Sequence, residues 1–221
     1  MSKSAVMPKV AVTALTDCAL ALTSVNLWNW ATRPTSIPQR QVKDWRSYAT
    51  GHRIGPSNAP VTVVVFSAYN CRYCARFWLH LSRAIDEQKL PVTVFYRHLP
   101  LDSLGLRAAS VAVCATQQVS FTAISDVLFS HHDSLGALPW EQYAQAAGAV
   151  DTLAFLECMN GTEALRSVDN DIEASARLGA IGTPTFLVNR DLYLGDVWDL
   201  EHILARQLAL ASTVGSPTRG P

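Results

Sequence analysis

What this 221-residue chain lacks narrows it first. It has no surplus charge: 18 Lys and Arg stand against 18 Asp and Glu, a formal net charge of zero. Nucleic-acid binding draws its affinity from a clustered basic excess, so that class is excluded. Disorder needs low hydrophobicity with high net charge, and a chain that is 49% apolar and neutral has neither. Cysteine is sparse, five in all, and the apolar content is enough for a sizeable core without dense disulfide stapling. No repeat or low-complexity tract is present. Charged residues are scarce too, 16% against about 25% in ordinary soluble domains, so some part of the chain avoids water.

That part is the N-terminus. Lys3 and Lys9 precede a nearly uncharged stretch, Val10 to Thr32, of about 23 residues, the length of a membrane span with its lysines on the cytoplasmic side. Trp28 and Trp30 fall where an interfacial aromatic belt would, and Cys18 reads as a small apolar residue of the span. Asp17 dilutes the pattern, and Ala19-Leu20-Ala21 offers the small-x-small site of a cleaved signal peptide. Residues 1–32 are therefore a membrane anchor or a signal segment. Either one puts the rest of the protein outside the cytoplasm, with membrane contact through this segment.

Beyond it, Pro34, Pro38, Gly51, Gly55, Pro56 and Pro60 interrupt every periodic pattern, and residues 33–50 read as a linker. Val61 to Phe66 is a β-branched apolar run, the pattern of a strand covered on both faces. Cys74, Trp78, Leu81 and Ile85 follow at helical spacing, and Val92 to Tyr96 is a second buried strand, giving a βαβ unit. Residues 104–178 are helical, with apolar stripes at Phe121, Ile124, Leu128 and at Leu165, Val168, Ile172, Ala176, stopped by Gly179. Thr185 to Val188 and Leu192 to Leu194 make a hairpin, and Leu200 to Leu208 a closing helix. The fold class is α/β. One domain is built from 51–103 and 179–211, with a helical block inserted at 104–178 and a flexible tail at 212–221.

The chemistry-bearing residues are Cys71-Arg72-Tyr73-Cys74, where the first long strand meets its helix. A lone C-x-x-C is also half a zinc site, but no second C-x-x-C or H-x-x-x-H completes one. At a helix N-terminus the unpaired N–H groups favour an anion, and Arg72 adds positive charge beside it. Both lower a thiol pKa, and the thiolate is the attacking species in disulfide exchange. Arg72 and Tyr73 are thus expected to tune Cys71 as nucleophile, and Cys74, one turn on, to resolve a mixed disulfide. Gly182-Thr183-Pro184-Thr185 lies about 110 residues further on and enters the third strand. A proline there predicts a cis Thr183–Pro184 bond, with the Thr183 main chain left free for an extended substrate.

These blocks resemble the DsbA family of thiol:disulfide oxidoreductases. The likeness rests on Gly55-Pro56-Ser57-Asn58-Ala59-Pro60-Val61, on Phe66-Ser67-Ala68-Tyr69-Asn70-Cys71-Arg72-Tyr73-Cys74, and on Leu178-Gly179-Ala180-Ile181-Gly182-Thr183-Pro184-Thr185-Phe186. It covers roughly residues 50 to 211 and implies a thioredoxin-like fold with an inserted helical subdomain. It also implies Cys71 as nucleophile, Cys74 as resolving cysteine, Thr183-Pro184 as the substrate-facing loop, and a structural disulfide between Cys114 and Cys158. Two buried free thiols are the alternative for that last pair. Members of the family commonly carry a histidine before the second cysteine, where this chain has Tyr73. Many thioredoxin-fold enzymes bury a carboxylate six residues before the nucleophile, where this chain has Val65, so the Cys74 proton must leave through water or another group.

The expectation is an extracytoplasmic enzyme that introduces or exchanges disulfides in reduced or partly folded client proteins. A membrane redox partner recycles its dithiol, and the chemistry needs no cofactor or metal. The alternatives are a reductase or isomerase of the same fold, or a non-catalytic peptide- or metal-binding module. His131-His132 reads as a solvated face, and His98 as a hydrogen bonder at a loop end.

Overall fold

The computed structural model describes residues 36–195 and 198–214. Among them no helix is long and apolar enough to cross a membrane, and the expected anchor or signal segment at 1–32 lies outside the described residues.

Six strands form one sheet: β1 Arg40–Gln41, β2 His52–Ile54, β3 Val61–Ser67, β4 Val92–His98, β5 Thr185–Val188 and β6 Asp191–Leu194, in the order β1-β6-β5-β3-β4-β2. Among the paired strands only β3 and β4 run parallel, and a helical crossover of the length such a pair needs joins them. That crossover is α1, Arg72–Ser82, extended by a π turn at Arg83–Glu87. Between β4 and β5 the chain makes α2 Ser103–Ala115, α3 Phe121–Ser130, α4 Trp140–Ala146, α5 Thr152–Asn160 and α6 Glu163–Leu178, and α7 Leu200–Val214 closes it.

The sheet is covered on both sides, as the nearly continuous apolar run of β3 demands. Val61, Val63 and Val65 face a core shared with Cys74, Phe77, Trp78 and Leu81 of α1 and with Ile203 and Leu204 of α7. Val64 and Phe66 face a smaller core with Ala174 and Leu178 of α6. The helical insertion packs onto the first core through Ala108, Val111, Phe121, Ile124, Leu128 and Phe155.

Three expectations need correction. The linker at 33–50 contains β1 and a 3-10 turn at Trp45–Tyr48, with Val42 and Tyr48 buried against the smaller core. The second concerns α6, whose buried face is Ala164, Val168, Asp171, Ala174 and Leu178, while Leu165, Ile172 and Ala176 point outward. The cause is a buried ion pair, Arg97 Nε to Asp171 Oδ1 at 2.7 Å, which turns a charged residue inward. Arg97 also donates to Thr50 Oγ1 at 2.9 Å, and Asp171 Oδ2 accepts the His98 N–H at 2.8 Å. One ion pair thereby ties α6, β4 and the segment before β2 together. Removing one partner would strand the other charge in the core, at a cost of about 3–5 kcal/mol. Third, the tail expected from residue 212 is still helical as far as Val214.

Candidate active site

β3 ends at Ser67, and three residues later the chain enters α1 with Cys71 at the N-cap (φ −109°, ψ 116°). An N-cap residue leaves the first-turn N–H groups of the helix unpaired around its side chain. The Cys71 thiol makes no capping hydrogen bond of its own, but the Tyr73 and Cys74 N–H groups lie where they favour its anion.

The turn before it is clamped. Asn70 Nδ2 donates to both Asp102 oxygens, at 2.9 and 3.1 Å, and Asp102 Oδ1 caps α2 by accepting the Gly105 N–H at 2.8 Å. A Cβ on Gly105 would lie 2.7 Å from Asn70 Oδ1, so only glycine lets the asparagine lie flat against α2. Sequence reasoning missed this clamp. Asp102, followed three residues later by the donor it caps, was the available signal.

Opposite the sulfurs, the Thr183–Pro184 peptide is cis. The Cys71 thiol points at the Thr183 carbonyl, 3.6 Å away. The Thr183 hydroxyl is buried without a well-formed hydrogen bond, yet is close enough to both sulfurs to favour their anions. Cys71, Cys74, Thr183 and Pro184 thus come together, as their expected roles require. Tyr73 and Ile181 stand exposed beside this group.

The two thiols are unbonded, and their pKa values are driven apart. Cys71 is lowered to about 5, chiefly because the Cys74 S–H donates to its thiolate. Burial opposes this, while Thr183 and the backbone N–H groups of Cys74 and Tyr73 add to it. Cys74, wholly buried one turn into the helix, is pushed far up by burial and then by the Cys71 anion. Arg72 acts on Cys71 only through a weak Coulombic attraction: its guanidinium lies over the Tyr73 ring and donates to the Tyr73 hydroxyl at 2.9 Å. Tyr73 contributes its backbone N–H, a gift of helix geometry and independent of its side chain.

The remaining expected residues sit apart. Cys114 of α2 and Cys158 of α5 are joined by a disulfide with a Cα–Cα distance of 5.6 Å, inside the ordinary range. His131 and His132 bond to backbone carbonyls at the end of α3. His98 departs from expectation: it closes β4, is 1% exposed, and neither ring nitrogen has a hydrogen-bond partner. Among the described residues no group of three or more His, Cys, Asp or Glu could hold a metal ion. A cleft of about 1000 Å³ lined by Trp45, Arg46, Pro60 and Arg190 contains none of the site residues.

A family model described as "Thioredoxin" matches residues 47–202. Among solved structures, a periplasmic thioredoxin-like protein from Salmonella enterica serovar Typhimurium is 25% identical with a TM-score of 0.63, covering 77% of this chain and 99% of that one. A thioredoxin-like oxidoreductase from Silicibacter pomeroyi is 27% identical with a TM-score of 0.61, covering 73% and 91%. Alpha-DsbA1 from Wolbachia pipientis, at 19% identity, shares the fold with a TM-score of 0.63, covering 74% and 94%. A curated relative, the Na(+)/H(+) antiporter NhaA 3 of Salinispora tropica, is 31% identical over 144 residues, 62% of this chain. The chain spans between 21% and 25% of the length of the curated relatives it matches.

Proposed function

The chain belongs to the thioredoxin family, with the inserted helices of its DsbA-like members, and on that premise we propose that it is an extracytoplasmic thiol:disulfide oxidoreductase. Its redox pair is Cys71 and Cys74, and it introduces or exchanges disulfides in client proteins. The observation that carries this reading is geometric: Cys71 at the helix N-cap faces the cis Thr183–Pro184 loop at 3.6 Å, with Cys74 buried one turn behind it.

In the oxidised enzyme a client thiolate attacks the Cys71 sulfur. The Cys71–Cys74 bond breaks, and Cys74 leaves carrying a proton. A second client thiolate then attacks the client sulfur of the mixed disulfide, and Cys71 departs as a stabilised anion, the better leaving group. The client leaves with a disulfide, and the enzyme dithiol returns its two electrons to a membrane partner. The Thr183 main chain offers an edge on which an extended client segment adds as a short strand, an arrangement with little sequence preference. Exposed Tyr73 and Ile181 give that segment apolar contact.

The Cys114–Cys158 disulfide supports an oxidising compartment, as does the description of the Salmonella relative as periplasmic. The likeness to a stretch of sodium–proton antiporters supports work at a membrane, to which residues 1–32 would tether the domain. The test is oxidation of a reduced, unfolded protein in a glutathione redox buffer. The chain should accelerate it catalytically and Cys71→Ser should not. Equal rates with both, at the uncatalysed level, would refute disulfide donation and leave a reductase or isomerase of the same fold or a non-catalytic peptide- or metal-binding module.

A further inference from the structure

The reading above leaves one proton without a route. Cys74 must lose it to attack a mixed disulfide on Cys71 and must regain it when it leaves, yet its sulfur is wholly buried and position 65, where related enzymes bury a carboxylate, is valine. Val65 faces the α1 side of the sheet, and two residues on along the same face stands Ser67, 2% exposed. The Ser67 hydroxyl stands near enough to the Cys74 sulfur to favour its anion, without a well-formed hydrogen bond to it. Directly across the parallel ladder, Ser67 is paired with His98.

His98 is the unusual group. A buried imidazole is normally hydrogen-bonded, and here both ring nitrogens are orphaned while the backbone N–H is pinned by Asp171. The Tyr96 hydroxyl, two residues earlier on the same face, is buried beside the Ser67 and Tyr69 hydroxyls without a well-formed hydrogen bond. Unpaired buried polar atoms are uncommon, and here they stand together on the face of the sheet behind a reactive sulfur. The cluster also has a way out: His52 on β2 meets the His98 ring edge-on at 5.2 Å, stacks on Phe121 at 4.3 Å, and is only half-buried. The other groups around His98 are otherwise engaged or neutral. Tyr69, from the turn before α1, bonds to Ser125 of α3 at 3.0 Å, the Asp126 carboxylate accepts the Trp78 indole N–H at 2.7 Å, and Arg97 and Asp171 neutralise each other.

We propose that His98 is the proton acceptor for Cys74, reached through the Ser67 hydroxyl, with His52 passing the proton to solvent. When the Cys74 sulfur bonds to the Cys71 sulfur, its proton moves to the Ser67 oxygen as the Ser67 proton moves to a neutral His98 nitrogen. The displaced thiolate takes a proton from water. In client oxidation the same path runs backwards and protonates Cys74 as it leaves. Burial keeps His98 neutral at rest, so the imidazolium exists only beside the forming Cys74 anion. Ser67 touches the reacting sulfur; His98 and His52 act through it.

The proposal rests on the redox reading but is tested apart from any client. Reduced protein mixed with excess 4,4′-dithiodipyridine releases one thiopyridone when Cys71 attacks and a second when Cys74 resolves. Ser67→Ala and His98→Gln should leave the first phase within about twofold and slow the second roughly a hundredfold at pH 7, the low end for a positioned proton acceptor. In both variants the second phase should become first-order in hydroxide, whereas the unsubstituted chain should be flatter with pH. His52→Asn should slow the second phase less. An unchanged second phase and pH slope in Ser67→Ala, a substitution that only deletes an oxygen, overturns the relay. So does the same result in His98→Gln with a native circular dichroism spectrum. Two normal phases in a chain that fails to oxidise a reduced client would refute the proposed function and leave the relay standing.

Discussion

The separation of the two thiol pKa values sets the reduction potential and its dependence on pH. Cys71 titrates at about 5, against about 8.5 for an ordinary thiol, while Cys74 stays protonated through neutrality. At pH 7 the Cys71 thiolate therefore favours the reduced form by about a hundredfold over a dithiol with both protons in place. At ~30 mV per factor of ten for a two-electron couple, that is about 60 mV toward the oxidising side. The slope follows from the same numbers. Below about pH 5 reduction takes up two protons for two electrons, and the potential falls by ~59 mV per pH unit. Above that point it takes up one proton, and the fall halves to ~30 mV per unit. The assay equilibrates the protein with thiol–disulfide buffers between pH 4 and 8, quenches with acid, alkylates free thiols and counts them by mass. A slope of ~59 mV per unit persisting from pH 6 to 8 would show that Cys71 is protonated there, and would refute the reasoning. Because the Cys74 S–H is the largest cause of the lowering, Cys74→Ala should raise the Cys71 pKa markedly. Cys74→Ser, which keeps a donor, should raise it less. Arg72→Glu should raise it less than Cys74→Ala does, since the guanidinium is turned to Tyr73 and attracts the Cys71 thiolate only weakly.

The same depressed thiol stabilises the reduced fold. Its contribution is complete above the ordinary thiol range and is lost as pH falls toward about 5, so the urea midpoint of the reduced protein should drop over that window more than that of the oxidised protein. The buried histidines act with the same proton balance, over a lower pH window. Burial lowers His52 to about 4 and His98 well below the usual range, so the unfolded chain binds protons first. Stability should be lost as pH falls from about 6.5 toward 4, and His52→Phe, which keeps the stack on Phe121, should flatten that loss in acid denaturation curves. Cys114→Ala with Cys158→Ala opens a loop spanning a sequence separation of 44, worth up to ~4 kcal/mol by the chain-entropy relation. A fall in denaturation midpoint with an unchanged Cys71–Cys74 potential is expected.

What could be read from the sequence was whatever a short stretch of chain determines by itself. Val61 to Phe66 announces a two-sided strand because all of its residues but Thr62 are apolar, and Gly179, at φ +74°, announces the end of α6. Cys71-Arg72-Tyr73-Cys74 and Thr183-Pro184 were legible for the same reason: each motif carries its own local geometry. β1 and β2 were not, since two or three residues show no alternation. β2 exists because β4 pairs with it, and because Gly51 brings the backbone so close to Tyr96 that a Cβ would lie 2.5 Å from its carbonyl oxygen. The stripe on α6 was misread because periodicity assigns every aspartate to solvent, and only Arg97, 74 residues away in the chain, explains why Asp171 turns inward. Ser67 and His98 likewise look unremarkable until the parallel register of β3 and β4 sets them side by side.

That register links the two halves of the chemistry. A thiolate at the first turn of a helix is an accessible anion that the backbone stabilises, and Cys71 needs little beyond its place at the N-cap and a donor one turn on. The donor is the difficulty. For Cys74 to hold a proton toward Cys71 it must sit in the core, where an anion is costly, and the deeper it sits the harder it is to deprotonate for the second half of the reaction. A buried carboxylate would solve this at the price of a second negative charge beside the Cys71 thiolate. Neutral groups avoid that repulsion: a hydroxyl and an imidazole can carry a proton through without standing charge at rest. With valine at position 65, Ser67 and His98 are the groups that the sheet places where such a carrier must be, and the Asp171 carboxylate, by holding the His98 N–H at 2.8 Å, fixes the strand end that presents it.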